Sequence, residues 1–189
     1  MSLLRSRTDP RWVEVALADL DRTLADHVHC EKKAAATALK LIADHSDRPA
    51  MVRALAKLAQ EENQHFLAVL VELQRRGAPL PSDGGDPYAQ ALMKLVSHGK
   101  ERLLDRLLVG ALIEARSCER LVLLGEALPE ERLRELYRRM AQSEAGHERL
   151  FVDLAAGIYG PERTRERLDE LAVAEAGVVA GLPLEPRIH

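Results

Sequence analysis

Six side chains constrain this sequence more than anything else in it: Glu31, Glu62, His65, Glu114, Glu144 and His147. They read as Glu, then Glu-x-x-His, then Glu, then Glu-x-x-His. Each falls within a segment whose apolar residues recur at spacings of three and four, the period of an amphipathic helix. Composition alone produces roughly one Glu-x-x-His pair by chance, so a single pair would count for nothing. Two pairs, each preceded by a glutamate about one helical hairpin upstream and all on apolar faces, are a much stronger signal. A bare carboxylate on an apolar face is costly unless it has a partner. Residues three apart on a helix project from neighbouring points of one face, so each Glu-x-x-His unit can address one centre.

Four carboxylates and two imidazoles form a hard, oxygen-rich donor set that suits iron or manganese. No thiolate set accompanies them, so structural zinc and iron–sulfur readings fail. The pattern matches the ferritin-like two-metal carboxylate arrangement, in which inward-facing side chains of a helical bundle hold the ions. The count suits two metals. We expect Glu62 and Glu144 to bridge and Glu31 and Glu114 to be terminal, although spacing does not prove that assignment. His27, four residues before Glu31, shares its stripe and is a candidate hydrogen-bond partner of a ligand, or equally a satisfied core histidine. His29, His45, His98 and His189 read as surface.

The expected fold is all-α: an antiparallel four-helix bundle with one long crossover plus short extra helices, in a single domain over 1–189 with its core at about 10–160. Asp9-Pro10 is a good helix start, and nothing before about Asp44 signals a break. A second helix is expected from about Asp47 to Arg76, with Glu62 rather than Glu61 on the apolar face. The glycine- and proline-rich stretch 77–87 is the natural crossover. A short helix over about 88–98 belongs to it. The third helix is expected at about 100–126, with Val122 on its core face, and the fourth at about 131–159. A shorter helix to about 176 and a docked or extended tail complete the chain. The apolar positions show no strand pattern.

There is no run of about 20 apolar residues, hence no expected membrane span, and no apolar stretch at the N-terminus that would read as a signal peptide. A cytoplasmic location is expected, with Cys30 and Cys118 as reduced thiols. The net charge is −3, so contact with a polyanion must come from a local basic patch. Candidate patches are Arg5, Arg7 and Arg11; Arg75 and Arg76; Lys94, Lys100, Arg102 and Arg106; and Arg132, Arg134, Arg138 and Arg139.

Beyond spacing, the strings His29-Cys-Glu-Lys-Lys-Ala-Ala35, Glu61-Glu-Asn-Gln-His65, Ile113-Glu-Ala-Arg-Ser-Cys-Glu-Arg120 and Ser143-Glu-Ala-Gly-His147 together resemble the MiaE family. These are the tRNA 2-methylthio-N6-isopentenyladenosine hydroxylases, and the likeness spans roughly residues 10 to 160. The resemblance implies metal roles for Glu31, Glu62, His65, Glu114, Glu144 and His147. It also implies a nonheme di-iron monooxygenase that uses O2 and two electrons from an external donor to hydroxylate the isopentenyl group beside the anticodon. Two Fe ions are the implied cofactor, and the ligand types alone suit manganese as well. The tRNA anticodon loop is the implied partner. We place it in the groove around the crossover and the start of the third helix. The family often carries a basic residue where this chain has Gly146. The competing readings are a ferritin-like iron-oxidising protein and a rubrerythrin-like or manganese-catalase-like peroxide scavenger. The first needs a large shell, whereas a monomer or small homo-oligomer is expected here. A rubrerythrin usually adds a cysteine-rich iron domain that two cysteines cannot build.

Overall fold

The computed structural model describes residues 3–189. Among them are seven helices and no strand. In order they are α1 (Arg11–Ala18), α2 (Leu20–Asp44), α3 (Pro49–Arg75), α4 (Pro87–Met93), α5 (Arg102–Ala127), α6 (Glu131–Tyr159) and α7 (Pro161–Gly181). No helix of the described chain is long and apolar enough to cross a membrane. The chain falls into two compact units. One holds Glu14–Gly84 and Glu185–Ile188; the other holds the residues up to Val13, Gly85–Leu184 and His189.

The first unit is a helical hairpin. Helices α2 and α3 are antiparallel neighbours joined by residues 45–48, with Pro49 at the first turn of α3, where its missing N–H removes nothing from the helix. Leu24, Val28, Ala38 and Leu41 of α2 are buried, as are Leu55, Leu58, Val69 and Leu73 of α3. The crossover stretch is tied back onto α2. His29 Nε2 lies 2.9 Å from the Pro81 carbonyl oxygen, and Lys32 donates to Asp83 at 2.9 Å. His29 is therefore buried, not on the surface as its sequence context suggested. The tail docks here as well: the Ile188 N–H donates to Asp26 at 2.8 Å, and the Ile188 side chain is fully buried.

The long first helix expected from the sequence is in fact two. The chain leaves helical geometry at Asp19, whose carboxylate accepts from the Arg22 N–H at 3.1 Å and so starts α2 afresh. The Thr23 hydroxyl donates to the Ala16 carbonyl at 2.9 Å, satisfying one of the carbonyls left open at the end of α1. The short helix after the crossover ends at Met93, earlier than expected, and α7 runs further, to Gly181.

The second unit is built on the hairpin of α5 and α6, which are joined by residues 128–130, with α7 packed against both and α4 against α5 and α7. Gly110 allows close approach within the hairpin: a Cβ there would lie 3.2 Å from the Phe151 ring. Val122, expected on the core face of the third helix, is exposed.

Arg116, completely buried, ties this unit together. Its Nη2 donates to Glu175 of α7 at 2.8 Å and to the Ser6 carbonyl at 3.1 Å, and its Nη1 donates to Glu119 at 2.5 Å. The Tyr88 hydroxyl of α4 donates to the same Glu175 at 2.9 Å. Thr8 reaches Glu119 through both its N–H and its hydroxyl. Burial and the neighbouring Glu175 push the Tyr88 phenol well above its ordinary range. Burial alone would lower the Arg116 guanidinium, but Glu175 outweighs it, so this arginine stays charged. Nearby, the Arg120 guanidinium lies 4.9 Å over the Trp12 ring, an attraction between a cation and the negative face of the indole. His189, also read as surface, reaches Asp86 at 3.2 Å and stacks on Tyr88.

Asp105 pins the turn before α5. It accepts from the Ser97 N–H at 2.8 Å and from Arg167 of α7 at 2.7 Å. Burial raises its carboxyl, but the bonds from Arg167 and Ser97 together outweigh burial and hold it below the usual value of 3.8. A depressed carboxylate contributes stability that is present above its unfolded-state value and is lost as pH falls through the folded one. The wild-type urea midpoint is therefore expected to drop as pH falls below about 4, and Asp105→Asn to drop less over the same range. Urea titrations from about pH 6 to about pH 3 check this.

Candidate functional site

Each hairpin carries one glutamate followed by one Glu-x-x-His unit. In the α2–α3 hairpin, Glu31 lies at the middle of α2, and Glu62 at the middle of α3 with His65 just beyond it. An antiparallel pairing turned at 45–48 brings these parts of the two helices together, because each is a similar distance from the turn. Ligand atoms of Glu31, Glu62 and His65 all lie within 4.8 Å of one another. His65 Nδ1 is 3.5 Å from Glu31 and 3.5 Å from Glu62. Glu62 is buried while Glu61 is exposed, so the helical register picks the residue that the apolar stripe picked.

The α5–α6 hairpin repeats the construction. Ligand atoms of Glu114, Glu144 and His147 also lie within 4.8 Å of one another. His147 Nδ1 is 3.1 Å from Glu144 Oε2, and Ser143 Oγ is 3.4 Å from His147 Nε2. All four glutamates are buried: Glu31 is 4 % exposed, Glu62 1 %, Glu114 7 % and Glu144 1 %. Helix after helix, the face that the sequence marks as apolar is the face that carries them. In α6, Leu133, Tyr137, Met140, Ala141, Phe151 and Ala155 are buried along with Glu144 and His147.

His27 is fully buried, with Nε2 2.6 Å from Glu31 Oε1. It is one helical turn before the glutamate and lies against one carboxylate oxygen, while the other lies 3.5 Å from His65 Nδ1. Two residues near the second triad were given no role at the site from sequence. Ser143 sits beside His147, and the Cys118 thiol donates to the Ala141 carbonyl at 3.3 Å. Burial, then the nearby Glu148, Glu144 and Glu119, push the Cys118 thiol up to about 11. Only the general rule that small polar side chains inside helices bond to nearby groups points to either one. Gly146, where the family often carries a basic residue, faces open space: a Cβ there would meet nothing within 4 Å.

The donor sets fit metal ions. Donors about 2.1 Å from one octahedral ion and at right angles lie about 3 Å apart, close to the carboxylate–imidazole separations in both triads. Oxygen and nitrogen donors without thiolate favour iron or manganese over soft ions.

Comparison with known proteins agrees with this chemistry. The family model for tRNA-(MS[2]IO[6]A)-hydroxylase (MiaE) matches residues 1–189. The chain belongs to the MiaE family. A MiaE relative from Pseudomonas putida, a tRNA 2-(methylsulfanyl)-N(6)-isopentenyladenosine(37) hydroxylase, is 41% identical over 184 residues, covering 96% of this chain and 89% of the relative. A hydroxylase of the same name from Salmonella typhimurium is 29% identical over 239 residues, covering all of this chain and 88% of its own. Among solved structures, a protein with aldehyde deformylating oxygenase activity from Synechococcus matches with a TM-score of 0.95 and 39% identity, covering 100% of this chain and 96% of that one. The chain therefore has the ferritin-like all-helical fold.

In each triad, two buried glutamates without a cation would repel one another in a low-dielectric interior. Bound metal offsets that repulsion and adds its binding energy to folding. At about a hundredfold excess over its dissociation constant, a metal adds roughly 2.7 kcal/mol, or about 5–10 °C in melting temperature for a chain of this size. Chelation is expected to lower the melting temperature by that order and Fe(II) to restore it, as scanning calorimetry on both forms would show.

Proposed function

We propose that this chain is a tRNA hydroxylase that inserts an oxygen atom from O2 into the isopentenyl side chain of 2-methylthio-N6-isopentenyladenosine at position 37. The observation that carries the reading is the agreement of two named hydroxylase relatives across nearly the whole chain with a buried carboxylate–histidine triad in each hairpin. We propose that Glu31, Glu62, His65, Glu114, Glu144 and His147 together supply the ligands for two iron ions, the number that this donor count and the family resemblance imply. When bound, the iron pair supplies the activation of O2 that no protein side chain can provide.

The chain's own residues hold and orient. His65 and His147 bind through neutral imidazole, and the carboxylates balance the charge of two divalent cations. His27, packed 2.6 Å from one oxygen of Glu31, crowds that carboxylate and would limit how it rotates. Ser143 occupies the other side of the His147 ring and limits its rotation. Burial of the glutamates excludes water from the ligand atoms. Two electrons come from an external donor. A tRNA substrate supports a cytoplasmic location.

Hypomodified tRNA is incubated with iron-loaded protein, a reductant and air, and its nucleosides are analysed by mass spectrometry. A modified adenosine one oxygen heavier is expected. Glu62→Gln and Glu144→Gln are expected to reduce its yield by more than the roughly 10–100-fold typical of partners outside the ligand set. Unchanged nucleosides under conditions that load iron would overturn the reading. The solved relative with aldehyde deformylating oxygenase activity favours a second reading, oxygen-dependent deformylation of an aldehyde. The same mixture supplied with a fatty aldehyde, with its products followed by gas chromatography, separates the two.

A further inference from the structure

Most arginines in this protein are already engaged. Arg5 pairs with Asp169, Arg11 with Asp9, Arg76 with Asp21 and Arg134 with Glu131. Arg163 holds Glu101 through two bonds of 2.8 Å, and Arg167 holds Asp105 and Glu170. Arg106, which the sequence suggested for substrate contact, is half-buried and has an interaction of its own. Count of basic residues is therefore a poor guide to where this protein meets a polyanion.

Other exposed cations, Arg48, Arg53 and Lys57 among them, also lack an acidic partner among the described residues, but one segment combines that with an absence of acids. Between the start of α4 and the start of α5, residues 87–100 contain no aspartate or glutamate. Lys94, Lys100 and Arg102 are all exposed, and none of the three has an acidic partner among the described residues. The acids next in sequence are unavailable to them: Glu101 is held by Arg163, and Asp105 is buried against Arg167 and Ser97. His98 is also exposed. A chain of net charge −3 thus displays three uncompensated cations within nine residues.

The backbone beneath them is fixed. The Ser97 N–H donates to Asp105, Arg167 donates to the Leu95 carbonyl at 3.4 Å, and the Tyr159 hydroxyl donates to the Lys100 carbonyl at 3.2 Å. Three anchors from α5, α7 and α6 hold one short turn in place. A pre-formed turn loses little further backbone freedom on binding, so its charges contribute more of their attraction to affinity.

We propose that the turn 94–102 is an RNA-backbone contact surface, with Lys94, Lys100 and Arg102 each meeting a phosphate of the tRNA substrate. This rests on the tRNA reading above and adds where the nucleic acid is held. Phosphate contacts of this kind position a nucleic acid without reading its sequence, which suits an enzyme whose selectivity comes from one modified base.

Binding of a labelled anticodon stem–loop RNA to the iron-loaded full chain is measured by fluorescence anisotropy across a salt series. The triple variant Lys94→Glu, Lys100→Glu, Arg102→Glu is compared with Arg48→Glu, Arg53→Glu, Lys57→Glu, an equal charge change at exposed positions of the other hairpin. The first is expected to lose about tenfold or more in affinity and to make the plot of log affinity against log salt shallower by about 2–3, since each phosphate contact contributes about 0.7–0.9 to that slope. The second is expected to stay within about twofold of wild type. The neutral variant Lys94→Gln, Lys100→Gln, Arg102→Gln is expected to fall between the first variant and wild type, with an unchanged melting temperature. Equal losses in the two charge-reversed variants, or none in the first, would overturn the assignment of the surface while leaving the hydroxylase reading intact. If the wild-type chain does not bind the RNA at all, both fall.

Discussion

The constraint behind this fold is the burial of ionised carboxylates among leucines. Water solvates a carboxylate far better than a protein interior does, so each buried one needs a cation or a set of hydrogen bonds. Both hairpins meet this demand in the same way, with two glutamates and an imidazole from facing positions on antiparallel helices. That requirement sets the helix lengths. A ligand near the middle of a long helix has several turns of apolar contact on either side, and these hold its backbone still. Short helices fray too easily to fix donor atoms to within a fraction of an ångström.

The sequence was most legible where periodicity and chemistry coincide. The buried face of α6 follows from its spacing alone, and the neighbouring pair Glu61 and Glu62 is resolved by register, because 100° of rotation separates surface from interior. The grouping of the six donors into one triad per hairpin follows from stride and antiparallel pairing. What the sequence concealed were one local cap and several contacts between distant residues. The break at Asp19 depends on a capping carboxylate inside an otherwise helical pattern, where an aspartate reads as an ordinary polar residue. His29 looks exposed until the crossover stretch folds back over it, and His189 until Asp86 and Tyr88 receive it. Arg116 lies next to a ligand-bearing stretch and would be read as a solvated charge, yet it is among the most deeply buried residues present.

The charged residues divide into two populations with different work. One set is paired: buried Arg116 and the part-exposed Arg163 and Arg167 link helices by bidentate or branched bonds that a lysine would make poorly, because the guanidinium is planar and presents several donors at fixed angles. The other set, in the turn before α5, is short of partners and faces water. The paired set immobilises the backbone on which the other set stands. A count of basic residues merges these populations, and pairing together with the absence of acids in 87–100 separates them.

The Arg116 network also restricts how the sequence can drift. Glu175 receives bonds from Arg116 and Tyr88 together, and Arg116 reaches as far as Ser6. Loss of any one member strands another in a dry interior, whereas replacing the ionic partners jointly with apolar groups can be tolerated. Such a cluster therefore behaves as an evolutionary lock. It resists single steps and yields only to paired ones, so divergent lineages should either keep the whole set or have exchanged it wholesale for hydrocarbon.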